Sequence, residues 1–228
     1  MTTERVLHEM YSRLSDEFGA TGWWPARTPF EVAVGAVLTQ NTAWRNVEKA
    51  IKNLRQHKLL SVWSLSRIPP SKLAQLVKPA GYFRLKSERL KNLVEFIERE
   101  YAGSMARMAR EDTDRLREKL LGVSGIGPET ADSILLYALG KPVFVVDAYT
   151  RRILARHGLV EEEVRYEELR RFFEEHLPHD VTLFKEFHAL LVRIGSQFCK
   201  KRPMCDGCPL EFLWKQPGLR HNLEKMKE

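Results

Sequence analysis

Two closely spaced glycines between helical patterns form the clearest candidate ligand site in the sequence. Gly125 and Gly127 flank one apolar residue, and Pro128 follows them directly. Glycine permits positive φ and close approach of the backbone to another molecule, and proline suits the first turn of a helix. The free N–H groups of that turn and the helix dipole favour a phosphate group. The same pattern is also that of a tight helical hairpin that binds nothing.

An acidic residue follows this hairpin. Asp147 comes 18 positions after Glu129 and directly after the apolar run 143–146. Taken alone, Asp147 is interpreted as the N-cap of a helix over 148–157, because aspartate is strongly preferred at that position. A capping carboxylate can also act in catalysis, so both roles stay open at this point.

The cysteines suggest a metal site near the C-terminus. They have five and two residues between them, and they are Cys199, Cys205 and Cys208. Such crowding is unlike that of cysteines buried separately in a core, and zinc held by three cysteines and a histidine is one option. A loop without metal is the alternative. The residues after the first cysteine, Lys200, Lys201 and Arg202, form a basic loop that can contact phosphates.

These candidates need elements that hold them, and the periodicity of the chain is helical almost throughout. One apolar face, with spacings of three and four, consists of Leu90, Leu93, Val94, Ile97 and Tyr101. Proline and glycine clusters mark the helix ends, and Ser71 and Asp180 are predicted N-caps. The run 143–146 looks like a strand, but one short run cannot form a sheet. The sequence therefore predicts an all-α protein of roughly ten helices.

Composition narrows the class of protein further. The 228 residues carry a net charge of +7, and 43% of them are hydrophobic, which is ordinary for a folded chain and excludes disorder. No apolar stretch is long enough to span a membrane, and the N-terminus does not have the pattern of a secretory signal. We therefore expect a cytoplasmic protein with no membrane partner. The basic balance suits a polyanionic partner without requiring one.

The hairpin at residues 125–131, with the aspartate that follows it, resembles the helix-hairpin-helix DNA glycosylases of the endonuclease III superfamily. In that family a catalytic aspartate follows the hairpin at this same interval. The resemblance covers most of the chain. With residues 22–25 and 38–42, the hairpin is most similar to the 3-methyladenine DNA glycosylase III branch, whose members excise alkylated purines.

Other motifs imply contacts with DNA. Residues 36–42 resemble the family segment whose glutamine enters the duplex where the base has left, although here no residue separates the glutamine from Thr39. The match falls on Gln40, with Asn41 beside it. Residues 81–86 resemble a second family turn, whose basic residues here are Arg84 and Lys86. The expected DNA-binding set also includes the hairpin glycines and the basic loop, that is Gly125, Gly127, Lys200, Lys201 and Arg202.

The resemblance also implies the reaction. Cleavage of an N-glycosidic bond develops positive charge on the sugar, and a carboxylate next to the anomeric carbon stabilises that charge or activates water. Asp147 is the candidate carboxylate. Relatives with lyase activity use a lysine that forms a Schiff base, and Glu129 occupies that position here. Since a glutamate cannot form an imine, we expect the reaction to stop at the abasic site. The alternative is that Glu129 only favours the helix dipole.

Aromatic residues are candidates for recognising the base. An alkylated purine carries positive charge, which electron-rich ring faces attract. The candidates are Trp23, Trp24 and Trp44, with Pro25 as an apolar neighbour, and the resemblance favours Trp24 and Trp44 as opposite walls. The base must leave the duplex to reach such a pocket. The alternative is that these tryptophans belong to the core.

The cysteine pattern departs from the family in two ways. The superfamily commonly ends in four cysteines that ligate a [4Fe-4S] cluster. Here the first interval is one residue shorter, and Trp214 stands at the fourth position. Since tryptophan cannot ligate, a cluster needs another ligand, such as His221 or an exogenous one. A cluster, a zinc site and a loop without metal all stay open.

The combined prediction is an all-α, two-lobed helix-hairpin-helix glycosylase fold. Residues 25–139 form a six-helix barrel that ends in the hairpin, and residues 1–24 with 140–228 form a second helical lobe with Asp147 and the cysteine loop. We expect a monomeric, monofunctional enzyme of base excision repair that acts on double-stranded DNA containing a damaged base, with 3-methyladenine as the favoured type of lesion. Glycosylases for mismatched or oxidised bases and a non-catalytic DNA-binding protein are the alternatives.

Overall fold

The computed structural model describes residues 2–215, and within that range the chain is all-α, as predicted, with no strand. It forms twelve α-helices there rather than roughly ten. In chain order they are α1 (Thr3–Phe18), α2 (Pro29–Thr39), α3 (Trp44–Gln56), α4 (Val62–Arg67), α5 (Pro70–Leu76), α6 (Phe83–Tyr101), α7 (Met105–Met108), α8 (Thr113–Leu121), α9 (Pro128–Ser133), α10 (Ala148–Arg156), α11 (Tyr166–Glu174) and α12 (Val181–Gln197). Among the described helices, none combines the length and the apolar character that a membrane span requires.

The chain divides into two compact units. One consists of Met1–Trp23 with Pro142–Glu228, and the other consists of Trp24–Lys141. The second unit therefore holds the hairpin, and the first holds Asp147 and the cysteines. The sequence analysis placed its boundaries after residues 24 and 139, and the functions assigned there to each lobe stay predictions.

Helix α2 forms the centre of the unit Trp24–Lys141. Its residues from Phe30 to Leu38 are all buried, and it packs against α3, α6, α9 and the π-helical turn Ile134–Ala138. The apolar face that the sequence predicts for α6 is buried in this unit as expected. A helix that is apolar on all sides belongs in a core, which explains why α2 lacks a polar face.

Lys86 lies inside this core, and this corrects its predicted role in DNA binding. Its side chain is only 1% exposed. Its Nζ donates hydrogen bonds to the carbonyl oxygens of Leu38, at 2.8 Å, and Ala80, at 2.7 Å. These carbonyls lie at the end of α2 and at the end of the 3-10 turn before α6, where helix geometry leaves acceptors without an internal partner. Lys86 therefore ties two loops together from inside and does not reach a phosphate.

The other unit contains α10, α11 and α12, and both α10 and α1 pack on α12. The apolar run 143–146 lies between them as an extended, buried segment without a strand partner in the described residues. Its centre is Phe144, whose ring stacks on Phe173 at 3.9 Å between centroids. The N–H of Phe144 donates to Oε1 of Glu174 at 2.8 Å, so a side chain satisfies its backbone. This fixed segment leads directly into Asp147.

The two predicted N-caps have different outcomes. Asp180 caps α12, since its Oδ1 accepts a hydrogen bond from the N–H of Leu183 at 2.7 Å. The prediction for Ser71 is wrong, because α5 begins at Pro70 and Pro69 is the cap residue. Proline suits the first helical position, so the helix begins before the serine.

The buried ammonium of Lys86 leads to a stability prediction. Lys86→Met removes both hydrogen bonds and leaves two buried carbonyls without a partner, so we expect the free energy of unfolding near pH 7 to fall by about 1–3 kcal/mol. Urea unfolding of both proteins measures this difference.

The same pair of proteins has an expected pH dependence. Burial, followed by the neighbouring charge of Arg89, lowers the pKa of Lys86 from 10.5 to about 8 in the folded protein. Between pH values equal to these two pKa values, the unfolded chain binds more protons at Lys86 than the folded one does. The contribution of Lys86 to the free energy of unfolding therefore increases as pH rises through that range. The stability difference between wild type and Lys86→Met should therefore grow above about pH 8. A constant difference from pH 7 to pH 10 contradicts the burial of a titrating lysine.

Candidate functional site

Asp147 is held at the start of α10 by its own capping bonds. Its Oδ1 accepts hydrogen bonds from the backbone N–H and from Oγ1 of Thr150, both at 2.8 Å. Oδ2 lies 3.9 Å from Nε2 of His188 on α12. The carboxylate side chain keeps 14% of its surface exposed. Asp147 is therefore the N-cap that the sequence predicts, and it has a second oxygen that the cap does not use.

His188 is a site residue that the sequence analysis missed. It is buried on the apolar face of α12, next to Phe187 in the sequence. The signal was a single histidine within the apolar pattern from Phe187 to Ile194. Such a histidine is usually part of the core, and its distance from Asp147 depends on how α12 packs against α10.

The hairpin glycines have different backbone requirements. Gly125 has φ +89°, and a Cβ built there would lie 2.3 Å from Cγ of Arg89. Gly127 has φ −90° and is the N-cap residue of α9. A Cβ on Gly127 would meet no atom of the described residues within 4 Å. Of the two hairpin glycines, Gly125 is therefore the one that the fold requires. Glu129 is exposed in the first turn of α9.

Gln40 connects the end of α2 to the hairpin. Its Nε2 donates to the carbonyl oxygen of Gly125 at 3.0 Å and to Oγ1 of Thr130 at 2.9 Å. Its Oε1 accepts a hydrogen bond from Arg89. The family role implied for Gln40, entry into the duplex, would require these bonds to break. Asn41 beside it is exposed and has φ 51°, a left-handed conformation that asparagine tolerates.

Side chains of α6 bring three loops of this unit together. Lys86 joins the end of α2 to the turn before α6, as described above. Arg89 bonds Gln40 and packs on Gly125, and Nδ2 of Asn92 donates to the carbonyl oxygen of Ser124 at 3.1 Å. We call the surface formed by residues 40–41, 82–84 and 124–127 the loop face. It brings together all the DNA-binding residues predicted in this unit except Lys86, which lies beneath it.

The loop face contains an aromatic residue that the sequence analysis did not select. Tyr82 is 70% exposed and has φ 42°, which is uncommon for a bulky residue. Arg84 two positions later is also exposed. An exposed aromatic ring beside a cation is an arrangement that favours stacking on a nucleic-acid base. Its signal was the aromatic residue directly after Gly81.

Three of the four residues predicted for base recognition line one pocket of about 350 Å³. The lining consists of Trp24, Pro25, Ala26, Glu31, Gly35, Trp44, Glu48, Ile51, Lys52 and Arg55. The fourth predicted residue, Trp23, belongs to the other unit. The volume lies within the range of sites for small molecules.

The two tryptophan rings are not opposite walls, which corrects that expectation. The centroids of Trp24 and Trp44 lie 5.2 Å apart, and the ring planes are at 86°. The rings therefore touch edge to face, and a base cannot lie between them in this arrangement. The ring of Trp24 also contacts that of Tyr137, with 5.1 Å between their centroids. Each tryptophan is half-buried, so both serve partly as core residues and partly as pocket lining.

Gly35 and Glu31 on α2 shape this pocket, and neither was selected from the sequence. A Cβ at Gly35 would lie 3.2 Å from the Trp24 indole, so glycine lets α2 approach that ring closely. Glu31 is 4% exposed and forms an ion pair with Arg55. With Glu48 and Lys52 the lining carries two acidic and two basic side chains. The pocket is therefore close to neutral, and its aromatic rings are its most distinctive chemistry.

The three cysteines line a separate cavity in the unit that contains Asp147. Its lining also includes Arg156, His157 and Trp214. Arginine side chains hold the loop, since Arg156 donates to the carbonyl oxygens of Lys200 and Lys201 and Arg152 donates to that of Cys199. The side chains of the basic loop, Lys200, Lys201 and Arg202, are exposed.

The described donors around this cavity do not form a complete metal site. Within residues 2–215 no group of three or more histidine, cysteine or acidic side chains is arranged to hold a metal ion. Trp214, at the fourth family position, lines the cavity and cannot ligate. His221, the other ligand considered, lies outside the described residues. The described donors therefore do not fit a cluster with four protein ligands.

Comparison with known proteins identifies the family of the chain. Residues 34–179 match the family described as HhH-GPD superfamily base excision DNA repair protein. The chain is 47% identical over 208 residues to a Methanocaldococcus jannaschii protein described as a DNA repair glycosylase, covering 90% of this chain and 94% of the relative. It is 32% identical to endonuclease III of Thermotoga maritima, covering 80% and 81%.

Solved structures show the same fold. The H. pylori 3-methyladenine DNA glycosylase MagIII, bound to 1,N6-ethenoadenine, is 32% identical with a TM-score of 0.75, covering 86% of this chain and 98% of that one. A trapped endonuclease III–DNA covalent intermediate has a TM-score of 0.81 at 23% identity, covering 99% and 100%. The chain belongs to the HhH-GPD superfamily of base excision repair DNA glycosylases.

The two hairpin glycines provide a matched test of the loop face. Gly125→Ala combines an unfavourable φ with a clash against Arg89, so we expect a loss of about 1–3 kcal/mol in the free energy of unfolding. Gly127→Ala should unfold like wild type, because the added methyl group meets open space. It should nevertheless bind duplex DNA with an abasic-site analogue more weakly, since the methyl group keeps phosphates away from the hairpin N–H groups. Unchanged affinity for Gly127→Ala, measured by fluorescence anisotropy, argues against hairpin contact with DNA.

Proposed function

We propose that this protein is a monofunctional DNA glycosylase that hydrolyses the N-glycosidic bond of a damaged base, most specifically an alkylated purine such as 3-methyladenine. The observation that carries the proposal is the carboxylate of Asp147. One of its oxygens is fixed by Thr150 and the other is left for chemistry. Asp147 lies at the position where the family resemblance places the catalytic aspartate.

The proposed reaction needs a negative charge close to the sugar. As the bond between C1′ and the base nitrogen breaks, positive charge develops on the sugar, and the carboxylate of Asp147 stabilises it. Water then adds to C1′ while the carboxylate assists removal of its proton. The pair of Thr150 hydrogen bonds fixes Oδ1 of this carboxylate before the substrate arrives, which reduces reorganisation during the reaction.

Glu129 supports hydrolysis without strand cleavage. A lyase step requires an amine that attacks the sugar and forms an imine. The side chain at this hairpin position is an exposed carboxylate, which has no nitrogen to attack with. Glu129 also lies in the first turn of α9, where its charge favours the helix dipole, and we infer that the product keeps an intact strand with an abasic site.

The pocket next to Trp24 and Trp44 supports an alkylated purine as substrate. Methylated purines are cationic and leave readily, so recognition by ring faces is sufficient and protonation by an acid is not required. The pocket lining is close to neutral, and its two indoles are half-buried with part of their surface accessible. The 32% identical structure of a 3-methyladenine DNA glycosylase adds to this proposal.

A glycosylase for other lesions is the second candidate function. The observation that favours it is the 32% identity to endonuclease III of Thermotoga maritima. The edge-to-face contact of Trp24 and Trp44 also leaves no slot between the rings for a flat cation. The two candidates share Asp147 and differ in the base that is released.

Contacts with DNA are assigned to the loop face and to the basic loop. The loop face presents Asn41, Tyr82 and Arg84 beside the hairpin glycines. The basic loop presents Lys200, Lys201 and Arg202, whose backbone Arg156 holds in place. Solved relatives include DNA complexes of endonuclease III, and we infer that this chain binds double-stranded DNA in the same general manner.

The cysteine loop takes no step in this proposal. Cys199, Cys205 and Cys208 supply three thiols, and Trp214 takes the place of a fourth family ligand. Hydrogen bonds from Arg152 and Arg156 to backbone carbonyl oxygens hold the loop. We therefore propose that this loop is stable without a cluster.

Iron analysis tests that proposal. Protein purified without air should be colourless and should contain less than about one iron per chain, because the described residues offer only three thiolates to a cluster. Brown protein with about four irons per chain contradicts this, and zinc analysis of the same sample distinguishes a zinc site from an empty loop.

Asp147→Asn is the test of the catalytic carboxylate. Asparagine is as good an N-cap as aspartate, so the fold should be kept while the negative charge is removed. We expect the rate of base release to fall by about 100-fold or more, with little change in affinity for DNA containing an abasic-site analogue. Single-turnover release and anisotropy provide the two measurements.

The matched control for this variant is Asp180→Asn. Asp180 is the N-cap of α12 in the same unit, and its carboxylate makes the same kind of bond. It should release bases at the wild-type rate. If Asp147→Asn also does so, Asp147 is a cap only and the proposal is wrong.

A further inference from the structure

The two oxygens of the Asp147 carboxylate have different surroundings. Oδ1 is occupied by both donors of Thr150, at 2.8 Å each. Oδ2 faces Nε2 of His188 at 3.9 Å, a distance longer than a hydrogen bond but short enough for the carboxylate charge to interact with the polar edge of the ring. The side chain of Asp147 is 14% exposed and that of His188 is 7% exposed. Little water therefore screens this contact.

The close packing of α10 on α12 creates this contact. A Cβ built at Gly195 would lie 2.5 Å from Cδ1 of Tyr149, so a larger residue there would push the helices apart. His188 lies two turns before Gly195 on the same face of α12. Tyr149 and Asp147 likewise stand at the start of α10. The glycine thus lets the histidine edge come close to the carboxylate.

The electrostatics of His188 agree with this geometry. Burial lowers the pKa of His188, so its ring is neutral near pH 7, and the charge of Asp147 opposes that shift. A neutral imidazole can present an N–H dipole to Oδ2 without introducing a full charge. It can therefore orient a carboxylate while leaving its negative charge available to the sugar.

We propose that His188 is a positioning residue for Asp147, which confines Oδ2 and leaves its exposed side for the sugar. This rests on the proposed catalytic role of Asp147. Thr150 alone fixes one oxygen, and the carboxylate could still turn about that point. With the polar edge of His188 next to Oδ2, the carboxylate keeps one orientation before DNA binds. Such preorganisation contributes to catalysis although His188 does not contact the substrate.

Variants of His188 with and without a donor test this role. His188→Leu keeps an apolar core but removes the polar edge, and His188→Gln supplies an amide N–H near the position of Nε2. We expect His188→Leu to lower the single-turnover rate of base release roughly 10-fold, with DNA affinity and thermal midpoint near those of wild type. His188→Gln should recover most of the rate. His8→Leu, at an exposed position of α1, serves as the matched control.

The pattern of losses distinguishes positioning from a structural role. In an Asp147→Asn background, His188→Leu should cause no further loss, because there is no catalytic carboxylate left to position. If His188→Leu releases bases at the wild-type rate, the proposal is wrong. It is equally wrong if affinity and thermal midpoint fall together with the rate, or if His188→Gln fails to recover the rate of a stable His188→Leu protein.

A second measurement does not depend on activity. NMR titration of the His188 ring should give a lower pKa in Asp147→Asn than in wild type, because removal of the carboxylate charge removes the effect that raises it. Identical titrations overturn the contact between the two residues whatever the enzyme does. By contrast, a difference in titration together with full base release by Asp147→Asn overturns the proposed function and leaves the contact itself intact.

Discussion

Every helix end leaves backbone groups without an intrahelical partner, and the described residues of this chain contain twelve helices, many of them short. Side chains satisfy several such groups at the site and directly beneath it. Asp147 caps α10, Lys86 beneath the loop face donates to a carbonyl oxygen at the end of α2, and Gln40 donates to a carbonyl oxygen of the hairpin. The groups assigned to chemistry and DNA contact are therefore held by the same hydrogen bonds that close the helices. Removing such a residue affects fold and site together, which is why conservative variants are needed to separate the two.

Local signals in the sequence predicted the features that depend on a few neighbouring residues. The cap at Asp147, the cap at Asp180 and the apolar face of α6 all follow from such patterns. Features set by contacts between distant segments were missed or wrong. Lys86 bonds a carbonyl 48 positions away, and Gln40 bonds residues 85 and 90 positions away. A sequence pattern also predicts that a lysine is exposed. The burial of Lys86 follows only from the positions of the two segments whose carbonyl oxygens it bonds.

The proposed chemistry divides into two requirements that different residues meet. Release of the base needs a fixed carboxylate, and Asp147 has one oxygen committed to its cap and one beside His188. Choice of the base needs a pocket, and the one lined by Trp24 and Trp44 offers ring surface with little net charge. In the proposed reaction Glu129 explains why no lyase step follows, since a carboxylate cannot form an imine with the sugar. Family membership alone does not identify the base that is excised. The proposal of an alkylated purine therefore depends on the pocket.

We propose that this enzyme releases alkylated purines by hydrolysis, and a comparison of substrates tests this directly. Single-turnover base release should be measured on matched duplexes that contain 3-methyladenine, thymine glycol, 8-oxoguanine or a G·T mismatch, with each product analysed before and after alkaline treatment. We predict fastest release from the alkylated duplex, with strands that break only after alkali. Preferred release of an oxidised or mismatched base, or strand breaks before alkali, contradicts it.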